Sequence, residues 1–275
     1  MVERILFPTD GSAGATATLE HAMDLAADHD AGVHVLTVDE DGGDPPGREV
    51  LELAADRVHD RGLEVETTLR DGRPYREILD IAEKTAVDLI VMPTHGRTGL
   101  ERLLMGSVTA KVMRLADLPV LTACPDAELR YPYRRVLVPT DGSQCAQAAL
   151  EVAVGLAEGA DVPLSILSVV ETQGANANIH PSAERDRRQI LAERAIESAA
   201  SNVDGRVPEV STAVVRGRSI PKAIHEHAAA QRADLIALGT HGRTGLDRYL
   251  FGGVTEKLVR TADVPVLTVR EPNSE

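Results

Sequence analysis

The sequence predicts an α/β protein made of two tandem domains, each a five-stranded parallel sheet with helices on both faces. Two short segments occur twice: residues 8–12 (Pro-Thr-Asp-Gly-Ser) recur as 139–143, and residues 94–100 (Thr-His-Gly-Arg-Thr-Gly-Leu) recur as 240–246. Between them, short apolar strands alternate with helical patterns, which is typical of parallel pairing through right-handed crossovers. A hydrophobic content of 43% with only 2% aromatic residues suits strands of Val, Leu and Ile that are buried on both faces.

The two repeats set the predicted domain limits. A chain of 275 residues is long enough for about two ordinary domains. We expect one domain over residues 1–124, a linker over 125–132 and a second domain over 133–271. The linker is short, so the two domains are expected to touch.

In the first repeat, each element has a local reason. Residues 4–7 form a short apolar strand, and residues 16–27 have helical spacing of apolar side chains. Strand 33–38 follows, and then helix 49–60. Gly62 is expected to end this helix, because glycine accepts the left-handed backbone conformation of a C-cap. Strand 65–69 alternates, and helix 74–85 begins with a proline, which the first turn tolerates. The last predicted elements are strand 89–92, helix 100–115 and strand 119–123.

The second repeat has the same order, with strands over 136–138, 164–170, 210–215, 235–238 and 265–269. Early positions match the first repeat at an offset of 131 residues and late positions at 146. Most of the extra length therefore falls around residues 171–188, where the polar stretch 172–182 predicts a loop over the carboxyl ends of the strands. A surface insertion is favoured over a lid, since loops accept added length at little free-energy cost.

Charge and composition exclude several classes of protein. The formal net charge of −14 argues against binding to nucleic acid, because phosphate backbones are held by excess Lys and Arg. The two cysteines, Cys124 and Cys145, are not in Cys-x-x-Cys spacing, which favours small buried side chains over a disulfide or metal site. No stretch resembles a signal peptide or a membrane span, so a soluble cytoplasmic protein without a membrane partner is expected.

The Pro-Thr-Asp-Gly-Ser segments follow the first strand of each repeat. Pro8 and Pro139 are expected to stop the ladder of that strand, since proline has no N–H group. Asp10 and Asp141 then lie at the tip of the strand, followed by a serine that can cap the next helix. For one copy, a turn or cap is the simpler interpretation. Two copies at the carboxyl end of a central strand favour a carboxylate that accepts hydrogen bonds from a ribose or base.

The second candidate feature is a pair of glycine-rich turns in each repeat. In the second repeat, Gly239 and Gly242 are followed after nine residues by Gly252 and Gly253, just before a helix. Exposed N–H groups there can form a concave nest for phosphates, assisted by the positive end of the helix. Arg97 and Arg243 are candidates for added charge. His95 and His241 have no neighbouring Ser or Cys nucleophile, so a loop-packing role is favoured over catalysis.

These motifs, with the Asp-Leu-Ile strand before Thr-His-Gly-Arg and the closing Pro-Val-Leu-Thr, resemble the universal stress protein family over nearly the whole chain. The resemblance implies a flavodoxin-like sheet of order 3-2-1-4-5 that holds ATP or AMP. It implies that the two aspartates meet the ribose or adenine, and that Val38 and Val169, each 28 residues after its aspartate, offer backbone atoms to adenine. The nucleotide-binding residues implied are Pro8, Thr9, Asp10, Val38, Gly96, Arg97, Gly106, Ser107, Val108 and Thr109, with Pro139, Thr140, Asp141, Val169, Gly239, Gly242, Arg243, Gly252, Gly253, Val254 and Thr255 in the second repeat.

Neither repeat matches the family's G-x2-G-x9-G-[S/T] loop fully. The first repeat has Pro93 at the first glycine, which removes an N–H group and adds a ring close to the phosphates. The second has Gly253 at the Ser/Thr position, which loses only a hydroxyl group. We therefore predict that the second repeat holds the better ATP site and that the first is weaker, empty or suited to a smaller ligand.

The favoured function is a nucleotide-binding stress-response module in which ATP occupancy is the signal. Turnover is expected to be slow or absent, because no dedicated base, catalytic metal cluster or P-loop is evident. Mg²⁺ is expected to accompany the phosphates without identifiable protein ligands. Two alternatives stay open: a slow ATPase or adenylating enzyme, and a nucleotide-free interaction scaffold. Such an enzyme needs a catalytic Lys, Cys or metal ligand near the glycine loop, whereas Lys111 and Lys257 lie further along the fourth helix and are expected to be solvated. The apolar fifth strands predict an intramolecular pseudo-dimer through their edges, with a further homodimer left open.

Overall fold

The computed structural model describes residues 2–40, 46–96, 105–157, 161–172, 181–241 and 252–270. The chain divides into two compact units. The first comprises Met1–Pro132 with Val259–Pro265, and the second comprises Tyr133–Leu258 with Val266–Glu275.

The first repeat forms a parallel five-stranded sheet of order β3-β2-β1-β4-β5, the flavodoxin-like order that the resemblance implied. Its elements are β1 (Arg4–Pro8), α1 (Ala13–His29), β2 (Gly32–Asp39), α2 (Pro46–Asp60), β3 (Val65–Asp71), α3 (Pro74–Lys84), β4 (Leu89–Pro93), α4 (Ser107–Leu115) and β5 (Val120–Ala123).

The second repeat has the same topology, with parallel strands in the order β8-β7-β6-β9-β10. Its elements are β6 (Val136–Pro139), α5 (Gln144–Ala157), β7 (Leu164–Glu171), α6 (Pro181–Val203), β8 (Val210–Gly217), α7 (Ile220–Gln231), β9 (Leu235–Gly239), α8 (Gly253–Thr261) and β10 (Val266–Val269). The predicted fold class is therefore confirmed.

The core of each sheet lies in its central strands, whose apolar residues face helices on both sides. All five residues of β4 and all four of β6 are buried. In the first repeat α1 contacts α2, and α3 contacts α4. Right-handed crossovers place these two pairs on opposite faces of the sheet, which explains why the central strands have no polar face.

Two predicted boundaries were wrong. Within the described residues, the fourth helix begins at Ser107 rather than at residue 100, because Gly106 has extended backbone geometry at the N-cap. The predicted polar loop over 172–182 is also too long, since Pro181 already begins α6, and residues 173–180 lie outside the described part. Gly62, by contrast, has a φ of 78° and ends α2 as expected.

The sheet of each unit opens at its topological switch point. Pairing between β1 and β4 ends at Leu6 and Ile90, and pairing between β6 and β9 ends at Leu137 and Ile236. The prolines do not stop the ladder on the other side, contrary to expectation, because the N–H of Thr140 still donates to Leu167 at 2.8 Å. The strand tips therefore separate on one side only, and a cleft forms at the carboxyl edge where such sheets bind ligands.

Cys145 is buried, as expected, whereas Cys124 is half-buried and its thiol donates to the carbonyl of Val259 at 3.1 Å. Among the described helices, none has the length and hydropathy needed to span a membrane.

Candidate functional site

A cavity of about 250 Å³ lies at the carboxyl edge of the second sheet, at the switch point between β6 and β9. Three strands, the start of α8 and the side of α7 enclose it. The residues that line it are Pro139, Thr140, Asp141, Ala146, Leu167, Val169, Ile220, Ile224, Leu238, Gly239, His241, Gly252, Gly253, Val254 and Thr255.

Nine of the residues predicted for the second site line this one cavity. They come from the tip of β6, the end of β7, the end of β9 and the first turn of α8: Pro139, Thr140, Asp141, Val169, Gly239, Gly252, Gly253, Val254 and Thr255. Gly242 and Arg243, and Arg97 of the first repeat, lie outside the described residues.

The turn after the first strand has the same hydrogen bonds in both repeats. Asp141 Oδ1 accepts the N–H of Ser143 at 2.9 Å, and Asp10 Oδ1 accepts that of Ser12 at 3.0 Å. Ser143 Oγ in turn accepts the N–H of Ala146 at 3.3 Å, which caps α5. One carboxylate oxygen of each aspartate therefore shapes the turn, and in the second unit this fixed turn presents the exposed Asp141 at the cavity.

The glycine loop of the second unit is tied to its strand by two hydrogen bonds. Thr255 Oγ1 donates to the carbonyl of Gly239 at 2.9 Å, and the N–H of Gly252 donates to Thr240 at 3.0 Å. Thr255 therefore lines the cavity with a hydroxyl that is already engaged. The first N–H groups of α8, on Gly253 and its successors, have no partner within the helix and suit an anion.

The first unit repeats this arrangement around Pro93. Thr109 Oγ1 donates to the carbonyl of Pro93 at 3.0 Å, and the N–H of Gly106 donates to Thr94 at 2.8 Å. Ser107 and Val108 occupy the first turn of α4. These two hydrogen bonds are therefore present in both units, with proline or with glycine at the end of the fourth strand.

Gly239 has a steric role that the phosphate-nest interpretation did not anticipate. A Cβ atom on Gly239 would lie 2.6 Å from both the carbonyl carbon and the Cβ of Cys145, and 2.9 Å from the amide nitrogen of Ala146. Two of these three atoms belong to the backbone at the start of α5. The missing side chain thus lets α5 approach the tip of β9. In the first repeat Pro93 stands at this position and Gly14 at that of Cys145.

The apolar wall of the cavity was missed in the sequence. Leu167 comes from the middle of β7 and Leu238 from the end of β9, and Ile220 and Ile224 come from α7. Residues 220 and 224 are four positions apart and therefore lie on one face of α7, so they were expected to contact the same surface. The same spacing is typical of any helix that faces a core, and it therefore did not indicate a cavity.

The two histidines pack within their loops. His95 Nδ1 lies 2.8 Å from Thr94 Oγ1, and His241 Nδ1 lies 2.9 Å from Thr240 Oγ1. His95 is only 6% exposed, which agrees with a packing role. His241 additionally lines the cavity, a position that the sequence did not indicate.

The corresponding carboxylate in the first unit is less exposed. Asp10 is half-buried, and its Oδ2 lies so near Gly96 that a Cβ atom there would be 2.5 Å away. The Asp10 side chain therefore extends from the tip of β1 to the loop after β4. Thr9 and Val38, at the ends of β1 and β2, occupy the same places in the sheet as Thr140 and Val169.

Comparison with known proteins gives a consistent family. The sequence model of the universal stress protein family matches residues 1–123 and again residues 132–270. A universal stress protein of Mycobacterium tuberculosis is 31% identical over 243 residues, which cover 84% of this chain and 78% of that protein. One from Mycolicibacterium smegmatis is 29% identical over 97% of this chain and 96% of its own.

A solved structure supports the fold. The crystal structure of a universal stress protein from Archaeoglobus fulgidus superposes with a TM-score of 0.71 at 23% sequence identity, covering 98% of each chain. At 23% identity, this similarity is evidence for the fold alone.

Proposed function

The chain belongs to the universal stress protein family, and on this basis we propose that it is a regulatory protein that binds an adenine nucleotide, ATP or AMP. The cavity of the second unit is the better site in this proposal. Nucleotide occupancy is the signal, and the stress response is its outcome.

The observation that carries the proposal is the cavity at the switch point, where a fixed carboxylate, apolar walls and a glycine loop meet. Its volume of about 250 Å³ lies just below the range of roughly 300–1,000 Å³ common for small-molecule sites. The volume suits the base and ribose of a nucleotide. The polyphosphate would then extend along the glycine loop.

The chemistry of the lining supports one orientation of the nucleotide. Leu167, Val169 and Ile220 form an apolar end that suits the face of a base. Asp141, exposed at the tip of β6, suits the hydroxyls of a ribose. The first turn of α8, with its unpaired N–H groups and positive dipole end, suits the phosphates. In this orientation Mg²⁺ accompanies the phosphates and is held by phosphate oxygens and water.

We expect Asp141→Ala to weaken ATP binding at least tenfold. The carboxylate would otherwise accept hydrogen bonds from the ribose, and hydrogen bonds to charged groups contribute about 1.5–3 kcal/mol. Calorimetric titration of the full chain with ATP measures the effect. Asp10→Ala is the matched control, because it removes the equivalent carboxylate in the first unit. A larger loss with Asp10→Ala than with Asp141→Ala would reverse the ranking of the two sites.

Gly253→Ser is expected to tighten ATP binding about three- to tenfold. This change restores the serine found at Ser107 in the first repeat, and no heavy atom of a described residue lies within 4 Å of a Cβ at position 253, so the described surroundings accept it without strain. The added hydroxyl would donate to a phosphate oxygen. Gly253→Ala is the control, since it adds the Cβ without the hydroxyl. Equal affinities for the two variants would show that no phosphate lies there.

The proposal assigns binding rather than turnover. The lining residues offer one carboxylate, Asp141, and it is already tied to the Ser143 amide. Phosphate release above that of the Asp141→Ala variant would favour the alternative of a slow ATPase. Pairing of the two fifth-strand edges into an intramolecular pseudo-dimer is part of the same proposal.

A further inference from the structure

A basic cluster surrounds one tyrosine at the start of α3 in the first unit. Arg76 Nε donates to the Tyr75 hydroxyl at 3.0 Å, and the Arg76 guanidinium carbon lies 5.8 Å from the ring centre. Lys111 of α4 places its ammonium 4.6 Å from the centre of the same ring. The hydrogen bond from Arg76 lowers the pKa of Tyr75, and Arg73 and Lys111 act in the same direction. Arg73, Tyr75, Arg76 and Lys111 are called the basic cluster below.

The cluster has no charge partner within the described part of the chain. No carboxylate there pairs with Arg73, Arg76 or Lys111. Lysines elsewhere do pair: Lys84 with Asp80 at 2.7 Å, for example. In a chain with a net charge of −14, carboxylates are plentiful, so three cations together without one need an explanation.

Helix stability does not supply that explanation. Arg73 is the N-cap of α3 and Arg76 lies in its first turn, where the helix dipole is positive and cations are unfavourable. Glu77, the acidic residue of that turn, lies against Gly72, with its Oε1 3.1 Å from where a Cβ on Gly72 would be. Lys111, half-exposed, adds a third positive charge over the Tyr75 ring. The fold therefore gathers positive charge at a place that is already electropositive.

The position of the cluster in the fold is the carboxyl edge of the first sheet. α3 follows β3 at that edge, and Gly106, the N-cap of α4, lies at the same edge. In the second unit, the first residue of the equivalent helix, Ile220, lines the cavity. The cluster thus belongs to the ligand-binding edge of its own sheet.

We propose that the basic cluster is a binding site for the phosphate groups of an anionic ligand. Arginine presents a planar fork of donors that matches phosphate oxygens, and lysine adds a point charge. The Tyr75 hydroxyl is held between them and can donate to the same group. Displacing the cations from the ring onto phosphate exchanges weak cation–π contacts for charge-assisted hydrogen bonds.

The second unit does not carry this site. Counted from the N-caps of α3 and α7, it has Ser219, Pro221 and Lys222 at the positions of Arg73, Tyr75 and Arg76, with Arg218 just before the N-cap, and it has Lys257 at the position of Lys111. Lys222 approaches Glu226 at 3.6 Å on its own helix, and the aromatic ring is missing. The two units therefore differ in the ligands they are built to attract.

The test is titration of the full chain with inorganic tripolyphosphate at low ionic strength. We expect binding that weakens at least tenfold in Arg76→Gln/Lys111→Gln. The matched control, Lys222→Gln/Lys257→Gln, removes the same charge at the equivalent positions and is expected to change affinity less than twofold. Tyr75→Phe is expected to give an intermediate loss. No tripolyphosphate binding by the unmodified chain, or equal losses in the two double variants, would overturn the proposal.

A parallel titration with adenosine separates this inference from the proposed nucleotide function. Adenosine has no phosphate, so its binding reports on a base and ribose site and not on the basic cluster. If the unmodified chain binds tripolyphosphate through the basic cluster but does not bind adenosine, the nucleotide proposal is refuted and the phosphate site stands. If it binds adenosine but shows no tripolyphosphate binding that depends on Arg76 and Lys111, the phosphate site is refuted and the nucleotide proposal stands.

Discussion

Replacing Gly239 by alanine is expected to lower the affinity of the second unit for ATP at least tenfold and to destabilise the fold. The new Cβ would lie 2.6 Å from the carbonyl carbon of Cys145, so the start of α5 must move away from β9. Ser143 and Ala146 would move with it, and with them the turn that holds Asp141. Overpacking of this kind costs about 1–3 kcal/mol in free energy of unfolding.

The measurement combines ATP calorimetry with urea unfolding. Unfolding is followed by circular dichroism, because the chain has no tryptophan. Gly253→Ala is the matched control: it adds the same methyl group to the same cavity, but no heavy atom in the described part of the chain lies within 4 Å of it. We expect its free energy of unfolding to change by less than about 0.5 kcal/mol.

The same pair of variants separates two roles for Gly239. If this glycine serves only to let phosphate approach the backbone, alanine will reduce ATP affinity without changing the free energy of unfolding. If it serves to seat α5, both quantities will fall. Cys145→Gly added to Gly239→Ala is expected to recover only part of the loss, because two of the three clashing atoms belong to the backbone.

The second large effect is a loss of stability in acid caused by His21. This residue lies in α1 and is 3% exposed. Its ring is nearly perpendicular to the Tyr131 ring, with 6.1 Å between the two ring centres. Burial lowers the pKa of His21 from 6.5 to about 4. Above pH 6.5 the side chain is neutral in both states. As the pH falls from 6.5 towards 4, the unfolded chain binds a proton that the folded chain excludes, so stability is lost.

The expected size of the His21 effect follows from the pKa shift. Between pH 7 and pH 5 the unfolded chain gains about 2 kcal/mol from protonation of this one residue. His21→Phe keeps a ring of similar size and removes the titration. We therefore expect the unfolding free energy of the variant to fall by about 2 kcal/mol less than that of the unmodified chain over this interval.

A matched control and three further histidines complete the acid prediction. His59 is exposed on α2, and His59→Phe is the control for the substitution of a histidine by phenylalanine as such. Burial lowers the pKa values of His29, His34 and His227 as well, which adds to acid destabilisation in the same direction. Equal pH slopes for the His21→Phe variant and the unmodified chain would contradict the assignment to His21.

Several features of the fold could be predicted because their signals are local. The strands are short runs of Val, Leu and Ile, and Pro74 and Gly62 mark helix ends by their own backbone preferences. Because the chain is duplicated, each predicted element could be compared with its counterpart in the other repeat. The start of α4 was predicted too early because apolar spacing continues upstream of Gly106. The helix begins only after Gly106, since the backbone of that glycine is extended rather than helical.

The candidate site was predictable in its polar and glycine-rich parts and not in its apolar wall. Asp141 and the glycines stand at strand ends, and the strand ends of a parallel sheet meet at one edge. Ile220 and Ile224 lie on a helix about 80 residues further along the chain than Asp141, and their pattern is that of an ordinary buried helix face. Which buried face adjoins a cavity depends on how the helix packs.

The sequence by itself determined the repeat, the parallel sheets and the residues at the strand tips, because duplication and hydrophobic periodicity are written in neighbouring residues. The tertiary structure decided that Gly239 seats α5 and that Lys111 meets Tyr75. In both cases the partners are far apart along the chain, at 94 and 36 residues by their numbering. Such contacts arise only when helices settle on the sheet at particular distances, and no local pattern encodes those distances.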